Sequence, residues 1–350
     1  MNKMSSNMTK YDRERDTVAF KGIIVEDVPQ GIFELINIAF SCVLIQISSL
    51  VGLVCSSLTV VVLSQFNITT DSANILLLSL TVADFLFCMT VPISRLNCLL
   101  VRILDTQTVT IVNISILQMF STLSRWFYVI SITMGGVIAA ERFVVVFFPL
   151  KAAGVLTPNR IIIVCVSVYI VNFALLCPGM FCFRKEWMFD PTKEIFVEVL
   201  VPTDFYLSHF EALNFELAIF HNNIFTSSFL ILTLILTPAI AVKLWMLVSE
   251  RSKLTQRRCS FDPTAAKIMM TVCTVNLLLY GPVIYFNLAT YLMPNYSLLS
   301  KSYQVFMIIT DFTGTLCASV NFVVYAKLST KFKKKFEMLI ENFCCWKPQR

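Results

Sequence analysis

Long apolar segments recur along the whole chain, and each approaches the roughly 20 residues that an α-helix needs to cross a bilayer. A length of 350 residues alone would suggest about two soluble domains, but a chain with 57% hydrophobic and 14% charged residues is typical of a membrane protein. We predict an all-α fold in which seven transmembrane helices form one bundle over residues 35–327. The predicted helices lie at about residues 35–64, 73–94, 109–141, 160–181, 222–249, 264–293 and 303–327.

The basic residues indicate how the bundle is oriented. Seven spans put the two termini on opposite sides of the membrane. If the N-terminus is outside, Lys and Arg are concentrated in the second and third inner loops and in the C-terminal tail, as the positive-inside rule requires. We therefore predict a multi-pass membrane protein with residues 1–34 outside and residues 328–350 in the cytoplasm. The net charge of +6 follows from this asymmetry, so no nucleic-acid partner is expected.

The N-terminal tail has no visible cleavable signal peptide, because its first 32 residues are polar and charged. The first helix is expected to act as its own signal anchor. The sequon Asn7-Met8-Thr9 would lie outside the cell, and we predict a glycan on Asn7.

Motifs of common enzymes and transporters are missing from the sequence. HExxH, GxSxG and P-loop patterns do not occur, and two His residues, His209 and His221, offer little material for a metal site. No segment pair suggests the duplicated halves of many transporters. We predict that the chain is not an enzyme.

A charged triplet closes the third apolar segment. Glu141, Arg142 and Phe143 end the segment, and Pro149 with Leu150 follows a short apolar run. An Arg at a helix centre costs roughly 2.5–3.5 kcal/mol on insertion scales, so an Arg near the interface should be paired, snorkelling or functional.

This triplet, with Pro-Leu at that distance, resembles the rhodopsin-like (class A) G-protein-coupled receptors, and the resemblance spans roughly residues 35–345. Asp84 matches the acid of the second helix in a Leu-x-x-x-Asp pattern, and Pro282 matches the proline of the sixth helix. Asn321 and Tyr325 match the ends of the Asn-Pro-x-x-Tyr motif in the seventh helix, where Phe322 replaces the proline. The resemblance implies a receptor in the lipid bilayer of the plasma membrane whose partner is a heterotrimeric G protein.

Within the family, the matching positions form a switch. Pro282 removes a backbone hydrogen bond and kinks its helix, which makes it the expected hinge. Tyr280 replaces the family's tryptophan and either senses the ligand or packs the core. Asp262, at the cytoplasmic end of the sixth helix, is expected to pair with Arg142 and hold the resting state closed, while Glu141 pairs locally with the same Arg. Alternatively or in addition, Asp262 caps its own helix before Pro263. Tyr325 is expected to swing inward on activation.

The resemblance also implies a sodium pocket at Asp84, with Ser131 as the third-helix serine. The alternative is a buried Asp84 that is hydrogen-bonded to its neighbours without an ion. Two pocket positions differ from the family, because Tyr280 and Cys317 stand where a Trp and an Asn are usual.

Cysteines suggest two covalent features. The family's usual disulfide is absent because Leu117 stands at the third-helix position, and a bridge between Cys98 and Cys182 is the expected substitute. After the seventh helix, basic and apolar residues alternate as in an interfacial amphipathic helix. Cys344 and Cys345 lie just beyond it, where they are either S-palmitoylated or reduced thiols.

Three charged residues mark a candidate ligand site at the outer end of the bundle. Ser124 stands where amine receptors have their binding Asp, so a biogenic amine is not expected. In one interpretation, Arg125 and Arg95 receive a ligand carboxylate or another anion, and Asp311 receives a cationic group. Ser124 and Tyr280 complete this candidate ligand site. In the other, Arg125 and Asp311 form a closed ion pair between the third and seventh helices.

The second outer loop, about residues 182–221, is long and acidic, which favours a small peptide or an amino-acid-like ligand. We therefore predict a receptor that transduces such a ligand, or another anionic small molecule, into G-protein activation. Two alternatives stay open at this point: a ligand-independent or silent seven-helix receptor, and a seven-helix chemosensory channel with the opposite orientation.

Overall fold

The fold is taken from a computed structural model of the chain. It describes residues 28–66, 72–96, 98–100, 104, 118–190, 195–209, 212–213, 224–253, 270–282, 285 and 301–344. The predicted glycan site Asn7, the predicted lock residue Asp262 and the lipidation candidate Cys345 lie outside these residues, as does the side chain of Cys344.

Apolar helices dominate the described residues, and the predicted all-α membrane bundle is confirmed. Six of these helices are long and apolar enough to cross a membrane, and a shorter apolar helix corresponds to the sixth predicted span. We number the membrane helices and the helix that follows them α1 to α8. Their bounds are Gln30–Ser64 (α1), Ser72–Ser94 (α2), Gln118–Phe147 (α3), Pro158–Leu176 (α4), Thr226–Lys253 (α5), Met270–Pro282 (α6), Lys301–Leu328 (α7) and Thr330–Cys344 (α8).

Prolines set the boundaries of the segment between α3 and α4. Phe148 leaves helical geometry, with φ −130° and ψ 55°, and Pro149 begins a short helix, Pro149–Val155. Pro158 then begins α4. A proline in the first helical turn loses no intrahelical hydrogen bond, and its fixed φ suits a helix start. The helix α3 runs to Phe147, six residues beyond the predicted end, because no breaker precedes Phe148.

Small and hydroxyl-bearing residues form the buried face in the middle of α1. Ser48, Ser49, Gly52, Ser56 and Thr59 are buried there, whereas the large apolar residues Leu50, Val51 and Val54 are exposed. Membrane helices pack through small residues, because lipid already solvates large apolar side chains. A Cβ on Gly52 would lie 2.6 Å from Cys88 Sγ and 3.3 Å from the Thr315 carbonyl oxygen, so α1, α2 and α7 meet closely there.

A β-hairpin lies between α4 and α5, in a segment that the sequence predicted only as a long charged loop. We call this end of the bundle outer and the opposite end inner, after the orientation that the basic residues predict. Strand β1, Phe183–Asp190, pairs antiparallel with β2, Ile195–Pro202, so that Phe183 lies opposite Pro202. The strand β2 contains alternating valines, a composition that suits a pleated sheet.

Aromatic side chains join α8 to the end of α7. Phe332 is buried and lies 5.9 Å from the Tyr325 ring, while Phe322 packs edge-on against Phe336 at 5.4 Å. The helix α7 continues through Phe322 to Leu328. At this position, where the resemblance leads one to expect proline, the chain therefore has an aromatic contact with α8.

Candidate functional site

A buried polar network joins four helices at the centre of the bundle. Ser131 on α3 donates to Asp84 Oδ1 at 2.7 Å, and Asn321 Nδ2 on α7 donates to Asp84 Oδ2 at 2.9 Å. The Tyr280 hydroxyl on α6 lies 3.3 Å from Ser131 Oγ. Since the single Ser131 proton goes to the carboxylate, Tyr280 is the donor in this contact. A movement of α6 therefore acts directly on hydrogen bonds of α2, α3 and α7.

Tyr280 lies at the floor of a buried aromatic layer. It is 1% exposed and packs edge-on against Tyr128, with ring centroids 5.3 Å apart. Tyr128 in turn packs against Phe87 at 5.7 Å. A Cβ on Gly314 would lie 2.7 Å from the Phe87 ring, so only glycine lets α7 approach this layer. The layer separates the outer mouth of the bundle from the Asp84 network.

Asn276 is a part of this network that the sequence interpretation missed. Its Oδ1 accepts a hydrogen bond from Cys317 Sγ at 2.7 Å, and both residues are buried. The available signal was a lone amide in an apolar helix four residues before Tyr280, because polar residues inside a membrane helix are commonly functional.

At the inner end of α3, Arg142 is held by its neighbour in the chain. Arg142 Nε lies 2.6 Å from Glu141 Oε2, and its Nη2 donates to Glu141 Oε1 at 3.1 Å. Ser72, at the start of α2, donates to the same Oε1 at 3.1 Å. Both charged residues are buried. Ser72 thereby ties the ion pair to α2.

The other predicted switch residues lie at different levels of the bundle. Phe143 stacks on Phe147 at 4.4 Å. Leu150, after Pro149, is 95% exposed. Tyr325 is buried at the end of α7, and Pro282 is exposed at the last described turn of α6.

At the outer mouth, Asp311 pairs with Arg95, so the interpretation in which Arg125 and Asp311 form a closed ion pair is wrong. Arg95 Nε and Nη2 donate to Asp311 Oδ2 at 2.8 and 2.5 Å. Arg125 faces α7 as well, but its Nη2 lies 2.5 Å from Met307 Sδ. Among the described residues, no carboxylate lies within ion-pair distance of Arg125. Arg95 directly follows α2, and its backbone N–H donates to the Val91 carbonyl oxygen at 3.2 Å. The helical path therefore continues past Pro92 to the point where Arg95 faces α7.

Ser124 was predicted as a ligand residue, but it is turned into its own helix. It is 4% exposed, and its hydroxyl donates to the Ser121 carbonyl oxygen at 2.9 Å. Ser124 and Arg125 are consecutive, so about 100° of helical rotation separates their directions. The Arg125 side chain therefore points toward α7, where it contacts Met307.

The predicted Cys98–Cys182 bridge is wrong, because Cys98 forms a disulfide with Cys42. Their Cα atoms are 5.7 Å apart, within the usual range for a disulfide. Cys42 lies in a π-helical stretch of α1, Asn37–Leu44, which re-aims the residues around it. Cys182 instead places its Sγ 3.4 Å from the Pro178 carbonyl oxygen.

Comparison with known proteins identifies a family for most of the chain. Residues 55–325 match the model of the 7 transmembrane receptor (rhodopsin family). The match begins in α1 and ends at Tyr325, so it includes the Asp84 network, the Arg142 pair and the outer mouth. No curated protein gives a significant match.

Proposed function

The chain belongs to the rhodopsin family of seven-transmembrane receptors, and from this premise we propose that it couples an anionic extracellular ligand to G-protein activation. As a member of this family it is a membrane receptor and not an enzyme. The ligand class and the coupling are the parts proposed.

The observation that carries the ligand class is the position of Arg125. Its guanidinium lies against a thioether, a weak acceptor, in the outer part of α3. A cation in a membrane helix requires a counter-charge, and the nearest acid on α7, Asp311, is already bound to Arg95. A carboxylate or another anion from the ligand would supply the missing charge.

The route inward is proposed to run through the aromatic layer. An occupant at Arg125 would press on Met307 and on the Tyr128 ring three residues along α3. Tyr128 contacts Tyr280, whose hydroxyl meets the Asp84 network. Loss of that contact would free α6 to move about Pro282 and release Arg142 from Glu141. The exposed Leu150 would then be an apolar contact for the G protein.

Sodium at Asp84 is the second part of the proposal. Asp84, Ser131 and Asn321 offer oxygen atoms, the ligands that hard cations prefer. Asn321 Oδ1 is buried and has no hydrogen-bond partner among the described residues, which suits an ion or a water molecule. If sodium binds, replacing NaCl by choline chloride should raise agonist potency in the wild type and leave Asp84→Asn unchanged.

The ligand class can be tested with a panel of carboxylates and short peptides at matched surface expression. Peptides with a free and an amidated C-terminus provide pairs that differ in the anion. Arg125→Gln is expected to weaken the response to anionic agonists by about 10- to 100-fold, the value of one charge-assisted hydrogen bond. Arg184→Gln, on the exposed hairpin, is the matched control and should retain wild-type potency. Equal potency of Arg125→Gln and wild type would contradict the proposal.

A further inference from the structure

Three charged side chains converge on one face of α7 at the outer mouth. Arg95 directly follows α2, Arg125 lies on α3, and Asp311 lies on α7 itself. Two cations therefore compete for one carboxylate. Which of them binds it decides the charge that a ligand meets.

Arg95 binds the carboxylate, and the outer end of α2 is braced so that it does. Both Arg95 donors converge on Asp311 Oδ2, and the two side chains are 24% and 11% exposed. Three residues after Arg95, the Cys42–Cys98 disulfide fixes the end of α2 to α1. Gln46 on α1 also donates to the Pro92 carbonyl oxygen at 3.1 Å.

Arg125 lies within reach of the same acid. Its contact Met307 is four residues before Asp311, so the two share a face of α7 about 6 Å apart. A change of Arg125 rotamer would bridge one helical turn if Asp311 lost Arg95.

We infer that Arg95 determines which ligand charge the receptor prefers. Arg95 neutralises Asp311, so that Arg125 can bind a monoanionic ligand. The inference rests on the proposed function and narrows its ligand class. A zwitterion would bring an amine that finds its acid already occupied, whereas a monoanion requires only Arg125. The preferred ligands are therefore carboxylates whose amine is absent or acylated.

The test uses matched derivatives of several amino acids: the N-acetyl acid, the free amino acid and the amino-acid amide. Wild-type receptor is expected to respond to the N-acetyl acids at least tenfold more potently than to the free amino acids. Arg95→Ala releases Asp311 to neutralise Arg125, so potency for the N-acetyl acids should fall at least tenfold. Adding Asp311→Asn to Arg95→Ala should restore it. A wild-type preference that Arg95→Ala leaves unchanged would overturn the inference.

A second measurement needs no ligand and separates the two proposals. The coupling between Arg125→Gln and Asp311→Asn in a thermal-stability double-mutant cycle should be near zero with Arg95 present. In the Arg95→Ala background the coupling should appear, as a non-additive Tm change of about 2 °C or more. Equal coupling in both backgrounds would refute the role of Arg95. Altered coupling without a response of the wild type to any anion would refute only the proposed ligand class.

Discussion

The helix α3 carries one arginine near each end, and the two are held in opposite ways. Arg142, at the inner end, is bound by the adjacent carboxylate of Glu141 and further tied to α2 through Ser72. Arg125, seventeen residues and roughly 25 Å further out, faces a thioether. An arginine whose carboxylate partner is its neighbour in the chain, such as Arg142, stays paired until something displaces that partner. A charge without an acid among the described residues is available to a ligand.

The largest expected effect separates the two arginines by function. Arg142→Ala should abolish agonist-stimulated signalling while leaving agonist binding within about threefold of wild type, because Arg142 lies far from the mouth. Arg125→Ala should do the reverse, with weakened binding and retained basal signalling. Radioligand binding and G-protein activation on the same membranes would measure both. If both variants lose agonist binding and signalling to the same extent, the two arginines do not have separate functions.

The next largest effect is expected from removing the Cys42–Cys98 disulfide at the outer end of the bundle. Disulfides commonly stabilise a fold by about 2–4 kcal/mol, so Cys42→Ser should lower the melting temperature of the purified receptor. Cys98→Ser should lower it equally, and the double variant should add nothing further. Cys182→Ser serves as the control that keeps the bridge intact. A Cys98–Cys182 crosslink in peptides mapped without reduction would contradict the Cys42 pairing.

A smaller effect is expected from the aromatic layer between the two arginines. Gly314→Ala would force the Phe87 ring away, since its Cβ would lie 2.7 Å from that ring. Overpacking of this kind costs about 1–3 kcal/mol. Gly31→Ala is the matched control, because nothing lies within 4 Å of its added Cβ. Thermal unfolding in the same detergent compares the two variants. Equal melting temperatures would mean that the aromatic layer accommodates the added methyl group without loss of stability.

The smallest effect concerns a single hydroxyl. Tyr280→Phe removes the donor to Ser131 and should change basal activity by about 2- to 10-fold, as expected for one hydrogen bond of about 0.5–1.5 kcal/mol. Tyr128→Phe removes a buried hydroxyl with no hydrogen-bond partner among the described residues, and should leave basal activity nearly unchanged. If both variants behave alike, the ring and not the hydroxyl transmits the signal.

The sequence predicts the bundle well because each helix that crosses the bilayer must be apolar over about 20 residues. Spans of sufficient apolar length can be recognised without knowledge of their neighbours, and the Glu141–Arg142 pair is local. The Asp84 and Ser131 positions follow from the family resemblance. Each of these features depends on one helix at a time or on a motif within it.

Pairings between helices were harder to predict, for physical reasons. Asp311 binds Arg95 instead of Arg125 because the outcome depends on how far α2 continues past Pro92. Cys98 binds Cys42 because a π-helical stretch of α1 changes which residues face α2. Spacing along the chain does not encode such rotations, since each depends on the rigid placement of a second helix.

The most direct test of the switch is basal G-protein activation, measured across a panel of G proteins at matched surface expression. Glu141→Gln and Asp262→Ala should each raise basal activity, because each removes an acid expected to restrain Arg142. Adding Arg142→Ala to either variant should abolish the increase. A silent receptor in every variant, with every G protein, would contradict the account and favour a receptor that does not couple to G proteins.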